Sequence, residues 1–174
     1  PLSGRAADRL VLKPDVVVAG SFTKRATREL LKEQGQKLVT FDVAHSLDEV
    51  KAQIRKMGEV TRHPDRAEAY VARVDAAIAR TRQFVAKKRY RVLSISRRGW
   101  VSGSRSLMSS LVAEIGLSNA AGDLGLKSGG FASLEAIISL RPDFILVSND
   151  SDFAEDEGRA FLLHPALEHF YPPS

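Results

Sequence analysis

The chain has 174 residues, 44% of them hydrophobic and 27% charged, which fits one ordinary globular domain or two small lobes and not a disordered chain. With 26 Lys and Arg against 21 Asp and Glu, the formal net charge is +5, which favours anionic partners but is too diffuse to mark a nucleic-acid binder. There is no cysteine, which excludes disulfides, thiolate metal sites and cysteine nucleophiles, and no apolar run approaches the roughly 20 residues of a membrane span.

Taken in chain order, residues 1–12 read as a loop leading into a short helix, followed by a strand over 15–19. Gly20-Ser21-Phe22-Thr23 makes a turn. "KRATRELLKEQG" then reads as a helix closed by Gly35, and "KLVTFDV" as a strand over 37–43. "SLDEVKAQIRKMG" opens with Ser46 and carries Glu49 three residues later, a capping-box arrangement, with Gly58 as its expected end. Pro64 suits a first helical turn, and apolar residues from Tyr70 to Val85 recur at helical spacing. The spacing predicts one helix over 63–88, on the order of 40 Å long. "YRVLSIS" is a strand, 90–96, and "RRGWVSGS" the loop after it. A helix beginning at about Ser104 carries Leu107, Met108, Leu111, Val112 and Ile115 on one face, and Gly116 closes it. A Gly-rich loop, the helix "SLEAIISL", the strand "DFILVS", an acidic loop and the tail "LLHPALEHFYPPS" complete the chain.

Two of these segments say nearly the same thing. "LKPDVVVAG" begins at Leu12 and "LRPDFILVS" at Leu140. Proline biases the residue before it away from the α region, so a helix ends there, and the short Val/Ile/Leu run after Asp reads as a parallel strand buried on both faces. The duplication predicts a pseudo-symmetric α/β protein. We expect a partial N-terminal lobe at 1–60, a linking helix at 61–89 and a C-terminal lobe at 90–174, each lobe built on a parallel sheet. Ligands of parallel sheets bind beyond the carboxyl ends of the strands, so the expected site is a cleft lined by the loops after residues 19, 43, 96 and 148.

Most motif matches fail. "GDLGLKSGG" is not a phosphate loop, since Leu126 separates Gly125 from Lys127. His45, His63, His164 and His169 have no zinc-ligand spacing. His63 reads as a helix cap, His164 and His169 as packing or surface residues, and His45 alone follows a strand on the cleft side. The acids from Asp150 to Glu157 do not match a calcium loop, and the serines of 102–110 form no nucleophile elbow. "SRRGWVSGSR" is the most informative stretch. Arg97 and Arg98 suit carboxylate or phosphate, and Trp100, the only tryptophan, suits a flat or apolar ligand. A helix N-terminus nearby adds partial positive charge. Gly20, Ser21, Phe22 and His45 are the expected lining of one wall. Arg97, Arg98, Trp100 and Ser102 are that of the other.

In the order of its segments the chain resembles the periplasmic solute-binding proteins of ABC importers for ferric siderophores, haem and cobalamin. The resemblance rests on the two L-x-P-D segments, the helix over 63–88, the run from the 90–96 strand through "EIGLSNA", and "LLHPALEHF". It implies a periplasmic carrier, not an enzyme, with no cofactor beyond its metal-chelate cargo and with a membrane permease as partner. The basic loop leans towards an anionic chelate, a ferric siderophore or haem, over cobalamin. The resemblance further implies a permease-docking glutamate six residues before the base of each L-x-P-D. Counting back from Arg141 reaches Glu135, and counting back from Lys13 reaches Ala7, which shifts the contact to Asp8. Measured against that family, the chain reads as a piece of a longer protein, lacking a secretion signal in "PLSGRAADRL" and lacking the first strands. An open sheet edge then predicts a homodimer. The rival reading from the residues is an α/β enzyme acting on a small anionic metabolite, with His45 as the base. A nucleic-acid binder is not expected, because aromatics do not interleave with the bases.

Overall fold

The computed structural model describes residues 14–85, 88–147, 161 and 164–172. They fall into two compact units. One takes in the chain up to Ala44 together with Glu49–Val71, and the other His45–Asp48 and the chain from Ala72 onward.

The first unit is a β-α-β crossover. Strand β1 (Val17–Gly20) pairs in parallel with β2 (Leu38–Phe41), Val17 opposite Leu38 and Gly20 opposite Phe41. Helix α1 (Arg25–Glu33) connects them and buries Leu31 completely. Gly35 closes α1 as the sequence predicts. It takes a left-handed φ of 71°, and its N–H bonds the Lys32 carbonyl at 2.9 Å. The apolar run of β1 had predicted burial on both faces. Instead Val17 and Ala19 are buried and Val18 is exposed, because the pleat sends alternate side chains to opposite faces and only one face is covered among the described residues.

Helix α2 (Leu47–Val60) and helix α3 (Pro64–Val85) follow. Gly58 does not end α2 as expected, since the helix runs through it to Val60. Its role is contact. A Cβ at Gly58 would lie 2.5 Å from the Ala67 Cβ and 3.1 Å from the His63 carbonyl, so only glycine lets the first turn of α3 close against α2. The Arg55 guanidinium reinforces the crossing, donating to both carboxylate oxygens of Glu68 at 2.7 and 3.2 Å. Pro64 opens α3 as predicted, and within the described residues the helix is 22 residues long.

The second unit is built around strand β3 (Arg91–Ser96). Strand β7 (Phe144–Val147) runs parallel along one edge, with Leu93 opposite Ile145. The other edge is shared. Strand β5 (Ser118–Asn119) lies parallel against the start of β3, and β4 (Trp100–Ser102) antiparallel against its end. Strand β6 (Gly129–Phe131) pairs antiparallel with β4. The α/β class is as expected, but this sheet is mixed where an all-parallel one was predicted. The cause is the Arg97–Gly99 turn. Arg98 at φ 59° and Gly99 at φ 75° reverse the chain within three residues, so "WVS" returns along β3 as a strand instead of leaving it as a loop.

Helix α4 (Leu107–Glu114) begins later than the expected Ser104. The Ser106 hydroxyl caps it by accepting from the Ser109 N–H at 3.2 Å. The Ser104 and Arg105 N–H groups bond instead to the carbonyls of Leu126 and Lys127. Gly116 closes α4 at φ 90°. Helix α5 (Leu134–Leu140) starts from a Ser133 cap, and helix α6 (Pro165–Phe170) from His164, whose Nδ1 accepts from the Ala166 N–H at 3.2 Å. The core of this unit comprises Leu93, Ile95, Val101, Ala120, Ala121, Ile137 and Leu167.

The second Pro-Asp segment has a visible structural use. The Asp143 N–H donates to the Arg91 carbonyl, and its carboxylate accepts from the Arg91 N–H, both at 2.7 Å, fixing the register of β7 on β3. The Arg91 guanidinium reaches the Leu140 and Arg141 carbonyls at the open end of α5. Strand β7 was expected to be central. Among the described residues it pairs only with β3, and Phe144, Leu146 and Val147 are exposed.

Candidate functional site

Four of the predicted binding residues sit on one piece of structure, the β3–β4 hairpin of the second unit. Arg97 opens its turn, Arg98 occupies the left-handed position, and Trp100 and Ser102 are the first and last residues of β4. The turn is seated tightly. A Cβ on Gly99 would lie 2.7 Å from the Phe161 ring and 2.8 Å from the Ala132 carbonyl, and the Gly99 carbonyl accepts from the Ala132 N–H at 3.0 Å. Val101 between the site residues is fully buried, so the alternation of β4 directs Trp100 away from the core, where it is 40% exposed.

Trp100 is not alone. Cross-strand pairing sets Phe131 opposite it, and the two rings meet edge to face, centroids 5.1 Å apart at 79°. Phe131 is 67% exposed. The indole also lies over Gly129, where a Cβ would come within 2.9 Å of Trp100 Cζ2. Glycine at φ 134° is therefore required both by the backbone and by the ring above it. Sequence reasoning missed Phe131, whose neighbours "GGF" read as loop. Two glycines followed by an aromatic, downstream of a short strand carrying Trp, is the signal that pointed to it. Below this surface Asn119 ties β4 to the core. Its Nδ2 donates to the Ser102 carbonyl at 3.1 Å, while its Oδ1 accepts from the Ala121 N–H at 3.0 Å.

The remaining predicted residues stand elsewhere. In the first unit, Gly20 ends β1, the Ser21 N–H donates to the Phe41 carbonyl at 2.8 Å, and the Phe22 ring folds back over Gly20 while staying 82% exposed. His45 is exposed in the segment between β2 and α2 and groups with the second unit. At the start of α2 the Leu47 N–H donates to the Ser110 hydroxyl at 3.1 Å. Glu135 is exposed in the first turn of α5. Its own backbone N–H and the Ser133 hydroxyl hold its carboxyl below the usual carboxylate range, and His164 adds a smaller pull against a slight opposing effect of burial. Asp8 and the Asp150–Glu157 acids lie outside the described residues. Among the described residues no three His, Asp or Glu side chains converge as a metal site.

Chemically, the hairpin offers an aromatic face beside a cationic turn at the carboxyl end of a parallel strand. That arrangement suits flat or anionic ligands. Two α/β units with loops beyond the carboxyl ends of parallel strands have the build of a ligand-binding α/β protein. The chain belongs to the periplasmic binding protein family, whose model matches residues 10–171.

Solved structures agree on the fold. The periplasmic heme binding protein HutB of Vibrio cholerae superposes with a TM-score of 0.79 at 20% identity, over 97% of this chain and 67% of that one. The periplasmic heme-binding protein RhuT from Roseiflexus sp. RS-1 gives 0.73 at 26% identity, over 94% and 65%. A periplasmic heme binding protein from Pseudomonas aeruginosa gives 0.74 at 22% identity, over 94% and 62%. The chain thus spans somewhat under two thirds of the length of the latter two. None of the curated proteins compared matches it.

Proposed function

We propose that this chain serves as the solute-binding part of an ABC import system, carrying haem or a ferric siderophore in preference to cobalamin to a membrane permease. The observation that carries this reading is the exposed Trp100–Phe131 pair beside Arg98 at the end of β3, in a chain of this family. A planar macrocycle or catecholate stacks on such rings, and a propionate or carboxylate accepts from the guanidinium. The similarity to proteins named as heme binders supports the same cargo class. In this reading Gly20, Ser21, Phe22 and His45 form one group of cargo-binding residues, and Arg97, Arg98, Trp100 and Ser102 form the other. Glu135 and Asp8 carry the docking charge for the permease. The role is extracytoplasmic and non-enzymatic, with the chelate as cargo.

Trp100 is the only indole of the chain and reports on its own site. Titration with haem, a ferric carboxylate siderophore and cobalamin is expected to quench its fluorescence saturably with one of the first two. Phe131→Ala and Arg98→Gln each weaken that binding roughly tenfold, the scale of one lost stacking or charge-assisted contact. No quenching by any chelate overturns the reading. So does turnover of a small anionic metabolite that disappears in His45→Ala.

A further inference from the structure

Helix α1 borders a basic recess that none of the proposed cargo residues lines. Arg25, Arg28, Glu29 and Lys32 stand at i, i+3, i+4 and i+7, so they share one face of the helix. With Thr40 of β2 they enclose about 360 Å³, at the small end of the range of ligand sites. All five residues belong to the first unit. Thr40 lies opposite Ala19 in the register and so points to the same face of the sheet as that buried residue, which brings a hydroxyl to the recess.

Charge is not balanced within the recess. Its lining holds three cations against one carboxylate, Glu29, and the Arg25 Nε already donates to that carboxylate. Arg28 and Lys32 have no carboxylate partner among the described residues. Arg28 is the decisive residue. It is half-buried, and its Nε is closed off from solvent with no acceptor among the described residues. A guanidinium that needed only solvation would extend its head into water, where every N–H finds an acceptor. A buried donor left unpaired is costly and rare in folded proteins, and it calls for a specific explanation.

We propose that this recess binds a phosphate monoester group. Such a group carries close to two negative charges at neutral pH, which matches the excess on the lining. It also presents three acceptor oxygens, for the Arg28 guanidinium, the Lys32 ammonium and the Thr40 hydroxyl. A single carboxylate brings half that charge and leaves one cation uncompensated. Arg25, with 84% of its side chain exposed, stands at the mouth and keeps Glu29 engaged, so that the one acid of the lining does not repel the anion. The proposal stands whatever the cargo is, because the two sets of residues do not overlap.

The test is calorimetric titration of the 174-residue chain with glycerol 3-phosphate, with glycerol at matched ionic strength as the blank. Saturable binding is expected from the phosphate ester alone. Arg28→Gln weakens it at least about tenfold and Lys32→Gln several-fold, the scale of a lost charge-assisted hydrogen bond. Lys37→Gln, which removes an exposed charge of the same unit outside the recess, leaves binding within about twofold. Arg28→Met separates binding from packing. Its thermal midpoint without ligand is no lower than that of the unsubstituted chain, since the unpaired donor is gone, and the rise that glycerol 3-phosphate produces is lost. Vesicles of phosphatidylcholine containing phosphatidic acid offer the same group on a lipid. Flotation that Arg28→Gln abolishes assigns the phosphate to a headgroup, and binding of glycerol 3-phosphate without flotation assigns it to a free metabolite. Binding of neither probe overturns the proposal, as does equal loss in Arg28→Gln and Lys37→Gln. A lowered midpoint in Arg28→Met, or a ligand-dependent rise retained in it, gives the guanidinium a packing role and overturns the proposal as well.

Discussion

Gly129 and Trp100 show how one residue's freedom sets another's position. The indole can lie across β6 only because position 129 carries no Cβ and tolerates φ 134°. Gly129→Ala is expected to destabilise the second unit by about 1–3 kcal/mol and to shift Trp100 emission, as read by a urea melt followed through that fluorescence. Asn119→Ala removes three hydrogen bonds, to the Ser102 and Gly103 carbonyls and from the Ala121 N–H, and costs about 1–3 kcal/mol in the same assay. Glu135 is a matter of charge. Because its carboxyl is held below the usual range in the fold, the folded state favours the ionised form. Its contribution to stability is therefore complete above the ordinary carboxylate value and is lost as pH falls through the lowered one. Glu135→Gln is expected to lower stability slightly near pH 7, where that contribution is complete, and to converge with the unsubstituted chain in acid, which flattens the limb below about pH 4, measured by chemical denaturation across pH.

At the scale of elements, the α2–α3 crossing rests on Gly58. Helix propensity alone ranks Ala above Gly by about 1 kcal/mol, so a sequence view predicts that Gly58→Ala stabilises α2. The packing predicts the opposite sign. A methyl group 2.5 Å from the Ala67 Cβ must push the helices apart, and overpacking of this kind costs about 1–3 kcal/mol. A lower thermal midpoint for Gly58→Ala, partly restored by pairing it with Ala67→Gly, checks the argument. Sequence periodicity found α1, α2, α3, α4 and α5, since apolar residues recur at helical spacing between Gly, Pro and Ser boundary signals. It misplaced the ends of α2 and α4, because Gly58 is set by its contact with the start of α3, and the Ser104 and Arg105 N–H groups by the Leu126 and Lys127 carbonyls.

For the whole molecule, the exposed strands matter most. Val18 on β1 and Phe144, Leu146 and Val147 on β7 leave apolar surface open among the described residues. Apolar strand edges pair with other copies. The 174-residue chain is accordingly expected to self-associate with rising concentration in light scattering, and Leu146→Lys or Val18→Lys to weaken that association. A monomer at all concentrations overturns this expectation.

What the sequence determined by itself is local. The repeated L-x-P-D segments, the helix stripes and the Gly35 and Gly116 stops set the α/β class, the element order and the family resemblance, because each depends on neighbours a few residues apart. The tertiary structure decided what depends on distant partners. "WVS" became a strand because Arg98 and Gly99 turn it back onto β3. Phe131 joined Trp100 because β6 pairs with β4, and Gly58 became a contact because α3 returns against α2. Strand pairing and close packing are set by which surfaces meet in space, and that is not written in the residue type at either position alone.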